Sequence, residues 1–260
     1  MKLKAGYVVV CAVMMLHSCT SKQIQFVEEQ RLFQVSTIDA LLQGDYDGHT
    51  SLKVLSDKGN FGIGTVSALD GELVLEDGNF YQVKSDGKVY RPSIELQTPF
   101  ASVIKFAPED SFEVKNIDFQ RLKLLIDSLM QCHNYFFAIR IDGEFSYVRT
   151  RSVPAQHKPY PLLAVVTQNQ PEFLILQTKG KLTGFYCPDF VKGINIPGYH
   201  LHYLSDDKLS GGHLLDFQLK TGKLKLDKIR RFEMVLPESD SFQKTEYKTD
   251  RSSELKKVEG

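Results

Sequence analysis

The chain has 260 residues, 42% of them hydrophobic and 25% charged, which is enough apolar material for a substantial core and argues against a disordered polymer. Lys plus Arg and Asp plus Glu balance at 32 each, so no excess of positive charge draws the whole protein to nucleic acid or anionic lipid. A small-molecule partner is the better expectation.

Lys2 and Lys4 precede an apolar run over residues 5–16, too short for a membrane span of about 20 residues and therefore read as a secretory signal. Leu16-His17-Ser18-Cys19 ends the run as a bacterial lipoprotein signal does, with a small residue before a cysteine whose thiol takes the lipid. Lipidation of Cys19 is favoured over ordinary cleavage nearby. Either way the protein is exported, as a membrane-anchored lipoprotein in the first case and as a periplasmic or secreted protein in the second. Residues 1–18 are thus the signal, 19–31 a polar tether, and 32–260 one domain that ends in a charged tail. Of four cysteines, Cys132 and Cys187 remain in that domain. They form either a disulfide or two separate thiols, and no Cys-x-x-Cys zinc pattern is present.

Ordered structure begins at Leu32-Phe33-Gln34-Val35. Short β-like segments follow, punctuated by Asp77-Gly78, Asp86-Gly87 and Asp142-Gly143, pairs that supply the positive φ angles of tight hairpins. Phe119, Leu122, Leu125, Ile126 and Leu129 recur at spacings of three and four and predict one clear helix, with Asp118 or Asn116 as N-cap. The expected fold class is α+β, with mixed, largely antiparallel sheets and few helices.

The most informative stretch is GYHLHYLSDDKLSGGHLLDF, residues 198–217. Side chains alternate along a strand, so His200 and His202 share one face while Tyr199, Leu201 and Tyr203 take the other. If the chain turns near Asp207 and Lys208 and returns antiparallel, His213 falls opposite His202 and three imidazoles converge. Three neutral imidazoles suit zinc or a similar divalent ion and leave coordination positions open, the pattern of a catalytic metal site on a β-hairpin. The alternative makes His200 and His202 solvated strand residues and His213 a turn residue. His49, His133 and His157 fit no ligand position.

Gly-Tyr-His-x-His followed by Gly-Gly-His-x-x-Asp resembles the zinc-binding segment of acetolactate decarboxylases. FQVSTIDALLQGDYDG (33–48), GIGTVSALDGEL (62–73) and TRSVPAQHKPYPL (150–162) are each similar to a segment of that family, in the family's order. Residue by residue, the resemblance implies that His200, His202 and His213 hold zinc and that Glu72, Arg151 and Thr65 belong to the active site. It also brings a glutamate from a C-terminal tail over the metal, best matched by Glu259, with Glu254 competing. It implies decarboxylation of (S)-2-acetolactate to (R)-acetoin and carbon dioxide through a metal-stabilised enediolate, in acetoin biosynthesis, by a homodimer. Arg151, always charged near neutral pH, suits an orienting donor, and Glu72 or the tail glutamate suits proton transfer. Two other classes are kept open. His200-x-His202 before Asp206 and Asp207 is loosely similar to a cupin motif, although cupins usually place glutamate there. An exported protein can also hold a metal or small ligand without turning it over.

Overall fold

The computed structural model describes residues 30–108 and 110–259. The predicted signal, Cys19 and nearly all of the tether lie outside these residues. Along the chain come β1 (Arg31–Val35), α1 (Ile38–Leu42), β2 (Thr50–Ser51), α2 (Leu52–Lys58), β3 (Phe61–Thr65), β4 (Glu72–Glu76), β5 (Asn79–Val83), β6 (Val89–Tyr90), β7 (Gln97–Thr98), β8 (Ala101–Ile104) and β9 (Asp110–Asp118). There follow α3 (Phe119–Met130), β10 (Phe136–Arg151), α4 (Leu163–Val166), β11 (Glu172–Cys187), β12 (Gly198–Ser205), β13 (Gly211–Ile229), β14 (Arg231–Val235), α5 (Asp240–Lys244) and α6 (Ser252–Glu259).

Two sheets carry the fold, and the expected α+β class holds. The first runs β14-β1-β8-β3-β4-β5-β6, antiparallel throughout except for β1 beside β14. In the second, β10, β11, β12 and β13 pair in a closed ring, with β9 added beside β13. Apolar side chains from the ring and from α3 form the largest core, with Phe145, Leu182, Tyr203, Phe217 and Leu224 almost fully buried. The predicted helix is α3, capped by the Asp118 carboxylate, which accepts from Arg121 N. Asp77 and Gly78 both take positive φ and join β4 to β5 as a type I′ hairpin requires.

Asp142-Gly143 is not a turn. The pair lies inside the 16-residue β10, where Gly143 faces Gly180 on β11 and Gly222 on β13. A Cβ on Gly143 would meet Leu219 Cδ1 at 2.5 Å, so close approach, not positive φ, calls for glycine there. The Asp142 carboxylate accepts from Arg140 Nε and Lys225 Nζ, each at 3.0 Å, which matches an acid to the strand. Cys132 and Cys187 are separate free thiols. Among the described residues no helix is long and apolar enough to cross a membrane.

The sheets meet where β4 packs on β12 and β13. Val74 and Tyr81 from the first sheet and Leu204 from the second make a small buried cluster between them. The charged C-terminal tail, expected to bring a glutamate over the metal, forms α5 and α6. Leu255 and Val258 of α6 are buried with Leu163 and Val166 of α4, which seats the chain end beside the sheet junction.

Candidate metal centre

The β12–β13 hairpin brings the histidines together in the register that alternation requires, with His202 opposite His213. Its turn is held by Asp207 Oδ1, which accepts from Ser205 Oγ at 2.6 Å and from Leu209 N at 3.0 Å, and Lys208 takes the left-handed conformation. Gly212, just before His213, has φ +129° and would place a Cβ 2.5 Å from Arg151 O, so only glycine fits between the two strands. Ring centroids lie 5.0 Å apart for His200–His202 and for His200–His213, and 5.6 Å apart for His202–His213. One nitrogen from each ring falls within 4.8 Å of the others.

His202 is buried. Its Nδ1 lies 3.0 Å from Leu73 O, where a protonated Nδ1 donates and leaves the Nε2 lone pair facing the site. That Nε2 is buried without a hydrogen-bond partner, a situation that costs about 1–3 kcal/mol. A divalent ion removes the cost, and the donor set therefore fits one. Burial pulls His200 and His213 well below the ordinary imidazole range, and the positive charge of Arg151 adds to the effect. His202 is brought down to about 4, again chiefly by burial. The three rings are neutral near pH 7, the form that ligates metal.

Two carboxyls approach the imidazoles. Glu72, at the start of β4 opposite Thr65, places Oε2 3.4 Å from His202 Nε2. Glu259, in the last turn of α6, places Oε2 3.8 Å from His213 Nε2. Burial raises Glu72 to about 8 and Glu259 to about 7, while Arg151 opposes both shifts. Glu254, the competing tail acid, is instead paired with Arg251 at 3.0 Å. Thr65 lies at the end of β3, and its hydroxyl donates to Gly71 O at 2.7 Å. Arg151 ends β10 directly beside His213, is 7% exposed, and donates through Nη2 to Val258 O of α6.

A small cavity of about 60 Å³ reaches Thr65, Glu72, Arg151, His200, His213 and Glu259, and His202 stands behind Glu72. Its apolar wall includes Ile38, Phe100, Val153 and Ile196. All seven residues singled out in the sequence thus converge. Sequence reasoning missed the wall residues and Gln170, which also lines the cavity. His49 and His133 are engaged elsewhere, His49 near Asp45 and His133 near Tyr186 and Asp127. A buried site with three neutral nitrogens, two proton-holding carboxyls and one fixed cation can bind a small anion and exchange protons with it away from water.

The family model described as alpha-acetolactate decarboxylase matches residues 32–249. The alpha-acetolactate decarboxylase of Methanosarcina mazei is 44% identical over 229 residues, 88% of this chain and 80% of that one. The protein of the same name from Brevibacillus brevis is 37% identical over the same shares of the two chains. The crystal structure of alpha-acetolactate decarboxylase from Bacillus subtilis strain 168 superposes with a TM-score of 0.86 at 34% identity, covering 88% of this chain and 99% of that one.

Proposed function

We propose a metal-dependent mechanism on one premise: the chain belongs to the alpha-acetolactate decarboxylase family and is a carboxy-lyase that forms acetoin from 2-acetolactate. His200, His202 and His213 would hold zinc or a similar divalent ion. The observation that carries this reading is the orphaned Nε2 of buried His202, set beside two other neutral imidazoles. When bound, the ion supplies a Lewis acid for the ketone and hydroxyl oxygens of the substrate, which accommodates the electron pair left as carbon dioxide departs.

The protein's own groups do the rest. Loss of carbon dioxide breaks the C1–C2 bond of 2-acetolactate and leaves an enediolate, and a proton must then reach C2 to give acetoin. Arg151 orients the anionic substrate through guanidinium N–H donors in a largely buried site, where such bonds are strong. Glu72 and Glu259, raised toward neutral pH by burial, are suited to hold and deliver the proton. Delivery of that proton to one face of C2 yields a single enantiomer, the R form on the family resemblance, from (S)-2-acetolactate. The apolar wall of Ile38, Phe100 and Ile196 faces the methyl groups and excludes water. Export through a lipidated Cys19 and assembly as a homodimer belong to the same reading. The first is supported by the Leu16-His17-Ser18-Cys19 pattern and the second by family resemblance.

The test is acetoin release from racemic 2-acetolactate by the purified full-length chain, with and without a chelator, followed by chiral analysis. Rapid, chelator-sensitive formation of one acetoin enantiomer is expected. Turnover that survives complete metal removal would overturn the metal-dependent mechanism.

A further inference from the structure

Arg151 has five N–H donors, and its orientation depends on what accepts from them. Val258 O takes Nη2. The Gln170 side chain stands at the other nitrogens: with its amide oxygen turned to the guanidinium, it accepts from Nη1 at 2.9 Å and from Nε at 3.3 Å. The opposite orientation sets an NH2 group against N–H donors and satisfies neither side. Gln170 is itself held. It caps the short 3₁₀ turn Thr167–Asn169 and precedes Pro171, whose ring confines the residue before it to extended backbone, and the observed ψ is 139°. The Pro171 carbonyl in turn accepts from Ser152 N at 3.3 Å, next to Arg151.

We propose that Gln170 is a positioning residue: its neutral amide oxygen fixes the plane of the Arg151 guanidinium without adding a further counter-ion to compete with an anionic carboxylate. The inference rests on the decarboxylase reading for the identity of that anion. A neutral acceptor is the chemically apt choice. A carboxylate at position 170 would accept from the same two nitrogens but form an ion pair, so the substrate would compete with a permanent counter-ion. An apolar side chain would leave buried N–H groups unpaired and the guanidinium free to rotate. The placement also ties access to order. Arg151 bridges Gln170, on the segment after α4, and Val258, in α6, so the two segments that close the cavity share one cation.

The experiment compares Gln170→Leu and Gln170→Glu with the parent in the metal-loaded full-length chain. It reads kcat and KM for 2-acetolactate, metal content, and the exchange rate of the Arg151 Nε proton by NMR. Gln170→Leu should lower kcat on the order of 10- to 100-fold at full metal content, because misorientation of a group near the reacting atoms has effects of that size. It should also speed Nε–H exchange. Gln170→Glu should restore slow exchange and most of kcat while raising KM several-fold. Equal loss in both variants, or parental kcat and slow exchange in Gln170→Leu, would overturn the proposal. If the parent chain itself makes no acetoin, the decarboxylase reading fails. The exchange measurement then still decides whether Gln170 holds Arg151.

Discussion

The site has two walls of different construction. One is built on strands: His200, His202, His213, Arg151, Glu72 and Thr65 all stand on β-ladders whose register places them to within the spacing of neighbouring strands. The other is α6, the last element described, which rests on the burial of Leu255 and Val258 and on the bond from Arg151 to Val258 O. Local stability in proteins ranges from near zero at chain ends to the global value in core strands. The strand wall is therefore the frame for the three imidazoles, and the tail wall is a single helix seated through Leu255, Val258 and one bond from Arg151. The division assigns metal retention and one proton-holding acid, Glu72, to the first wall, and the other acid, Glu259, and the cover over the cavity to the second.

Four measurements break or sharpen that division. His213→Ala removes one ligand from the frame, so bound metal, read by elemental analysis, should fall below stoichiometric and turnover should drop by at least about 10³-fold, as loss of several kcal/mol of Lewis-acid stabilisation dictates. Full metal content in that variant would remove His213 from the ligand set. Deleting residues 252–260 takes away the tail wall. Turnover should fall by about 10²-fold, the worth of a positioned acid or base, while metal stays bound. If metal leaves with the tail, the two walls are one unit and the division is wrong. Arg151→Lys keeps the charge that serves both walls but loses the planar fork, and about a tenfold loss of kcat/KM is expected, equivalent to ~1.4 kcal/mol. Parental turnover would argue against an orienting role.

The smallest effect is a count of protons. With the imidazoles already neutral at pH 6, ion binding has no proton to displace from them. Glu72 at about 8 and Glu259 at about 7 are both protonated at that pH before the ion enters, and an adjacent cation favours their ionised forms. Calorimetry of metal binding in buffers of different ionisation enthalpy should show proton release at pH 6 that fades above pH 8. Release unchanged in Glu72→Gln and Glu259→Gln would place the protons elsewhere.

Much of the strand wall was legible in the sequence because two periodic signals agree there. The period-two alternation of 199–204 puts His200 and His202 on one face, and Asp207-Lys208 marks the turn that brings His213 opposite His202. α3 was legible for the same kind of reason, its apolar spacing preceded by a capping aspartate. Asp142-Gly143 misled because the dipeptide looks the same whether glycine serves a turn or the close approach of three strands. Glu72 and Glu259 carry no local signal beyond exposure-neutral acids in a strand and a helix, and family resemblance alone pointed to them. Gln170 was invisible. Its partner is nineteen positions earlier by number and reaches it only because the segment between β10 and β11 folds back on the strand end; Pro171 shows that position 170 is extended, not what it faces.

The ring of strands is sewn unevenly. β10 and β13 pair along most of their length, and β11 pairs with β12 over eight residues, but β12 meets β13 through three pairs only, the outermost of them His202–His213. An ion held by both strands would act there as a rivet at the shortest seam, converting metal affinity into mechanical closure of the barrel. Backbone amides around Gly211 and Gly212 would then report metal loading through slowed hydrogen exchange, even with no substrate present.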